Sequence, residues 1–363
     1  MFTMFNWDDI KCVEAMLRSH RPFLHQAILG VDLYDLVSVL KFRESSPRDL
    51  VMILDRNVLS RAFELVSPCS VPILEEHRIA AAVCAYALLS DVQFDPTIAF
   101  AETVHINGRE KGEHEMAKLA AMQNIPAQCF LSVATGRADR IDSHFLDAER
   151  TDEISSASRQ LQYDQWQRFE PDYIAALKLA LLLRKAGPNS EGESLFAAFM
   201  RWCYEEFIFT APGILYGSLA LSPVRMKDMF KRVHGRDGST VLIGVRNATW
   251  DLALIRSWMD ATNSMRRDRN FAFVCSFDQA LRRCANDAIA PARLTCAQQL
   301  EFVESIFVRD WGENAGRRLS RAYAKYIIAL PSTDGRNGVR DPNRRVRWRA
   351  MTADMERELA LDL

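Results

Sequence analysis

The stretch Leu50-Val51-Met52-Ile53-Leu54-Asp55-Arg56-Asn57-Val58-Leu59 decides how this chain is read. Leu50 to Leu54 are a short, continuous apolar run that stops at Asp55, the pattern of a strand buried on both faces of a parallel sheet. Asp55 then stands at the strand's carboxyl end. Open α/β sheets place ligand sites there, because the loops converge where the order of connection reverses. A second run, Phe271-Ala272-Phe273-Val274-Cys275, ends the same way, at Ser276-Phe277-Asp278. Two acids are thereby expected at one end of one sheet.

Working outward, residues 7–19 and 32–43 carry apolar side chains at helical spacing and predict an N-terminal helical segment over 1–45. Residues 73–90 read as a long helix, followed by a brief Val92-Gln93-Phe94 strand and a new helix start at Asp95-Pro96. From 105 to 235 the pattern is helical, with breaks around Gly136, Gly187-Pro188 and Ala211-Pro212-Gly213. This stretch reads as a helical insertion. Strand-and-helix alternation is expected to resume over 239–259, which makes 46–104 and 236–292 the two halves of one α/β core. The remainder, 293–363, reads as helical, with an arginine-rich tail over 336–349 expected as loop or sheet edge.

At 363 residues and 48% hydrophobic content the chain can fill a sizeable core, which excludes a disordered or fibrous protein. The 46 basic and 47 acidic residues nearly cancel, so any nucleic-acid surface must be local. Eight cysteines, at 12, 69, 84, 129, 203, 275, 284 and 296, form no C-x-x-C pair and read as reduced core thiols. The seven histidines share no metal-ligand spacing and are expected mostly on surfaces. No signal-peptide pattern or long uncharged apolar run is present, and a cytoplasmic location is the expectation. No G-x-G-x-x-G or P-loop sequence occurs, against an ordinary dinucleotide or nucleotide-triphosphate fold.

The segment Ile53-Leu54-Asp55-Arg56-Asn57-Val58-Leu59 resembles the opening signature of PIN-domain nucleases, an apolar strand followed by D-x-N-V-L. Phe94-Asp95-Pro96-Thr97-Ile98-Ala99-Phe100-Ala101-Glu102 is similar in shape to the family's second acidic position, and Glu102 is the match. Asn247-Ala248-Thr249-Trp250-Asp251-Leu252 resembles the third, and Val274-Cys275-Ser276-Phe277-Asp278 the fourth. The resemblance spans roughly 46–104 and 236–292, and the long helical segment between the second and third acids departs from the family's minimal plan.

The resemblance implies a PIN-like parallel sheet sandwiched by helices. It also implies a hydrolase in which Asp55, Glu102, Asp251 and Asp278 hold Mg²⁺ or Mn²⁺, with Asn57 and Ser276 in support. Clustered carboxylates repel one another, and a hard divalent cation is what ordinarily offsets that repulsion. The expected activity is metal-dependent endonucleolytic cleavage of RNA, as in a toxin-like or defence ribonuclease, with room for a regulatory protein partner. Against this stand a catalytically inactive PIN-like scaffold that binds proteins through its helical segment, and a haloacid-dehalogenase-like phosphatase. The phosphatase is disfavoured because Asn57 occupies the place of its second Asp. Any single Asp at a strand end can also simply cap the next helix.

For the nucleic acid itself, Arg344, Arg345, Arg347 and Arg349 form a candidate phosphate-binding strip in which Trp348 could stack on a base. Lys231-Arg232 with Arg236, and Arg266-Arg267 with Arg269, are further basic clusters.

Overall fold

Leu50 to Leu54 lie in a strand that is paired on both sides, and this arrangement organises the first half of the molecule. In the computed structural model, which describes residues 6–24, 30–46, 49–66, 72–142, 144, 166–185, 192–226, 229–235, 237–264, 270–288, 295–330 and 343–361, a four-stranded sheet forms. Its strands are β1 (Phe23–Leu24), β2 (Asp49–Leu54), β3 (Gln93–Asp95) and β4 (Asn270–Cys275), in the spatial order β1-β4-β2-β3. β2 runs parallel to both neighbours, with Leu54 opposite Cys275 and Ile53 opposite Asp95, while the short β1 is antiparallel to β4. Successive strands β2 and β3 are adjacent, but β4 lies on the opposite side of β2. The order therefore reverses beside β2, and the crevice of such a sheet opens at the carboxyl ends of β2 and β4.

The chain divides into two units, Met1–Trp166 with Ser257–Arg282, and Gln167–Arg256 with Arg283–Leu363. The first holds the sheet. Its helix Glu75–Ser90 is buried almost all round through Ala80, Ala81, Ala82, Val83 and Ala85, small residues that let neighbours approach closely. The helix ends at Asp91, whose φ of 51° is left-handed, and Arg43 clasps that end by donating to Ser90 O at 2.8 Å and Asp91 Oδ2 at 2.7 Å. Helices Thr97–Asn107 and Arg109–Met122 meet at Gly112, where a Cβ would come within 2.4 Å of Val104 Cγ2. A larger residue there would have to displace the Val104 side chain. Helices Arg109–Met122 and Ala127–Ala134 thus belong to the sheet unit, beyond the point at 105 where the inserted segment was expected to begin.

The second unit is helical among its described residues and is packed through aromatics. Phe196 meets Phe307 edge-on at 5.5 Å and stacks on Trp311 at 5.6 Å, and Trp311 Nε1 donates to the buried Ser218 Oγ at 2.8 Å. The segment expected to alternate strand and helix over 239–259 is instead part of one helix, Gly238–Ser264, and the unit boundary falls within it, after Arg256. Its buried Val241, Val245, Ala248, Leu252 and Ile255 recur every three to four residues, a helical period that overrides its β-branched content.

The described part of the basic tail is also helical, within Arg344–Leu361, rather than loop or edge. Its alternation of arginines with apolar residues leaves Trp348 buried, 5.7 Å from Phe207 by ring centroids, so that ring is core and does not present a face to a base. His77 likewise departs from the surface expectation. It is fully buried, its Nδ1 accepts from Leu74 N at 3.0 Å, and the remaining ring N–H therefore points at Glu64 Oε2, 2.5 Å away. Cys12 and Cys296 are exposed, whereas Cys84, Cys203, Cys275 and Cys284 are core thiols. Among the described residues no helix is long and apolar enough to cross a membrane.

Candidate active site

Asp55 follows β2 directly and occupies the N-cap position of helix Arg56–Leu65, yet its side chain makes no capping hydrogen bond of the usual kind. The carboxylate instead receives the hydroxyl of Ser276 at Oδ2, 2.5 Å away. Ser276 is fully buried, immediately beyond β4, and its Oγ in turn accepts from Asp278 N at 3.0 Å. From the β2 side, Asn57 Oδ1 accepts the Phe277 N–H at 3.2 Å. Two side chains thus cross between the loops that leave adjacent parallel strands and fix those loops against each other. This is the sheet's switch point.

The charges gathered there are poorly solvated. Burial pushes the Asp55 carboxyl up to about 6; the Ser276 hydroxyl opposes this, the nearby Asp278 charge adds to it, and the amides of Arg56 and Asn57 lower it again. Glu102, in helix Thr97–Asn107, is pushed up further, to about 8, by burial first and then by the Asp55 charge. Arg56 pulls it back and Glu115 adds to the rise. Asp55 is therefore the electrostatic hub, felt by Glu102 and feeling Asp278. A carboxyl held neutral this far up its range by desolvation and a like charge is typical of sites where a ligand supplies the missing positive charge.

Asp278 has a structural duty as well. Its Oδ1 accepts Leu281 N at 2.9 Å and so caps the helix Gln279–Ala288. Glu75 and Glu76, the rivals of Glu102 in the sequence, are engaged elsewhere, with His20 at 3.3 Å and Arg61 at 2.9 Å. Asp251 lies in the second unit, in helix Gly238–Ser264, where its Oδ2 accepts from Tyr216 Oη at 2.9 Å. The structure thus brings Asp55, Glu102, Asp278, Asn57 and Ser276 into one unit and assigns Asp251 to the other. Among the described residues, no group of three or more His, Cys, Asp or Glu side chains forms a ready-made metal cage.

Compared with protein-family models, curated proteins and solved structures, the chain matches none.

Three residues of the site escaped the sequence reading. Arg56 donates to Glu115 through Nη1 at 3.0 Å and Nη2 at 3.3 Å, a two-pronged pair, and Thr103 Oγ1 donates to the same Glu115 Oε2 at 2.8 Å. Glu115 is buried, so this clamp fixes a guanidinium whose charge Glu102 feels. A signal existed: Gly112, Glu115, Met116, Leu119 and Met122 form one buried stripe, and an acid inside an apolar stripe requires a buried partner.

Of the nucleic-acid candidates, Arg345 and Arg349 are exposed on the C-terminal helix and Arg344 and Arg347 are half-buried, with the Arg344 guanidinium over the Trp348 ring at 5.5 Å. Arg236, Arg266, Arg267 and Arg269 lie outside the described residues.

Proposed function

We propose that the sheet unit is a PIN-like, metal-dependent nuclease core that hydrolyses phosphodiester bonds, with RNA as its substrate and Mg²⁺ or Mn²⁺ as its cofactor. The observation that carries the reading is Asp55, which stands at the end of the central parallel strand, is held by Ser276 from the neighbouring strand's end, and shares its field with Glu102 and Asp278. The donor set suits a hard cation, being all carboxylate oxygen. The lack of a closed cage is compatible with Mg²⁺, which keeps several waters and binds through one or two carboxylates together with substrate phosphates. A bound ion would lower the pKa of water and offset charge at the scissile phosphate.

The chain's own residues divide the remaining work. Asp55 and Glu102 would hold the ion, and Asp278 would add negative charge from the adjacent loop. Ser276 fixes which way the Asp55 carboxylate faces. Arg56, braced by Glu115, would supply a fixed positive charge, felt by Glu102, to meet a phosphate oxygen. Asn57 closes the loop by taking the Phe277 amide, an engagement that also counts against the phosphatase alternative, in which this position must release a proton.

The deciding experiment is cleavage of labelled single-stranded RNA and DNA by the purified chain with Mn²⁺, Mg²⁺ or EDTA, beside Asp55→Asn and Glu102→Gln. Metal-dependent cleavage abolished by both substitutions supports the reading. Cleavage unaffected by Asp55→Asn would refute it.

A further inference from the structure

The helical unit holds a cavity of about 330 Å³ in the turns that join helix Ala211–Leu221 to helix Gly238–Ser264. Its lining combines the apolar Leu183, Ala220, Met226, Met229 and Phe230 with the basic Arg225, Lys231, Arg232 and His234. Its volume falls at the small end of the range for small-molecule sites. The described lining carries basic residues and no acid. Arg225 and Arg184 add enough positive field to help burial depress the His234 pKa.

The turn that lines the cavity is fixed. Arg184 Nη1 reaches Val233 O at 3.4 Å and Gly235 O at 3.3 Å, tying the turn to helix Trp166–Lys185. The backbone of Lys231 is pressed against Gly244, where a Cβ would come within 2.0 Å of Lys231 O. Phe230 and Arg232 adopt left-handed φ values of 51° and 72°, costly for bulky residues and found where surrounding structure imposes them. An anchored, strained turn that brings apolar and cationic side chains to one cavity is preorganised for a ligand of matching polarity.

We propose that this cavity binds a phosphomonoester with an apolar or aromatic body, a mononucleotide being the class that fits, with the body on Met226, Met229 and Phe230 and the phosphate on Arg225, Lys231 and Arg232. The site lies within the helical unit and stands independently of the nuclease reading.

Isothermal titration of the full chain in EDTA with AMP, ADP, adenosine and inorganic phosphate tests it. AMP or ADP should bind saturably and more weakly as salt rises, while adenosine and inorganic phosphate each bind about tenfold or more weakly, because each supplies half of the complement. Arg225 and Arg232 are exposed, so Arg225→Ala/Arg232→Ala should keep the parent's melting temperature and lose about tenfold or more in nucleotide affinity. Asp55→Asn should bind as the parent does, which separates this cavity from the carboxylate site. No saturable heat with either nucleotide at about 1 mM, or equal affinity in the double variant, would overturn the proposal. Inorganic phosphate binding as tightly as AMP would also overturn it, by removing any role for the apolar side chains.

Discussion

Glu102→Gln should stabilise the metal-free protein at alkaline pH while leaving it almost unchanged at acid pH. The folded chain holds the Glu102 proton up to about pH 8, against an ordinary glutamate value of 4.5 that applies once the chain unfolds. Between those values the folded state binds more protons than the unfolded state, so stability falls as pH rises through the window. Below it the group costs nothing, and above it the full penalty is present. At ~1.4 kcal/mol per pH unit, the gap from 4.5 to about 8 corresponds to a penalty of up to about 5 kcal/mol, reduced by whatever local relaxation admits water. Glutamine keeps the shape of the neutral acid and cannot ionise. Urea unfolding in EDTA at pH 5, 7 and 9 should therefore show parent and variant similar at pH 5 and diverging by several kcal/mol at pH 9, the variant being the more stable. A variant equally or less stable than the parent at pH 9, or offset by the same amount at every pH, would refute the claim that Glu102 is a desolvated, repelled carboxylate.

Other outcomes follow from the same geometry. Ser276→Ala removes the hydroxyl that orients Asp55 and should lower metal affinity and cleavage by about 10- to 100-fold with the fold retained; unchanged metal affinity by titration would exclude that role. Glu115→Ala leaves the Arg56 guanidinium, part-buried, without its two-pronged partner and should cost about 3–5 kcal/mol by urea unfolding, with Glu115→Gln costing less. Trp348→Ala should destabilise by about 3–5 kcal/mol because the ring is core, whereas Arg345→Ala/Arg349→Ala should leave stability intact and weaken RNA binding in filter assays at low salt. An RNA affinity indifferent to both arginines would place the nucleic-acid surface elsewhere.

The sheet was legible because Leu50 to Leu54 and Phe271 to Cys275 are too short and too continuously apolar for surface helices, and each ends at a polar turn. Their adjacency put Asp55, Ser276 and Asp278 in one place. Glu102 falls midway along helix Thr97–Asn107, which follows β3 as the sequence pattern predicted. The division of the chain was hidden, because a single helix, Gly238–Ser264, carries residues of both units, and nothing in its apolar period marks the boundary after Arg256. Asp251 was consequently grouped with a sheet to whose unit it does not belong. Trp348 misled for a different reason: tryptophan among arginines suits a stacking surface and a helix that buries one residue of its turn equally well, and only tertiary packing against Phe207 decides between them. The Arg56–Glu115 clamp joins residues far apart in sequence, so neither half reveals the other.

Electron paramagnetic resonance titration of Mn²⁺ into the purified chain at pH 8, beside Asp55→Asn and Glu102→Gln, addresses the carboxylate site directly. Loss of the free Mn²⁺ signal to a saturable site in the parent, with that site removed by Asp55→Asn and weakened by Glu102→Gln, is the expected result. A parent that binds no Mn²⁺, or an Asp55→Asn variant that binds it as tightly as the parent, would contradict the account at its centre.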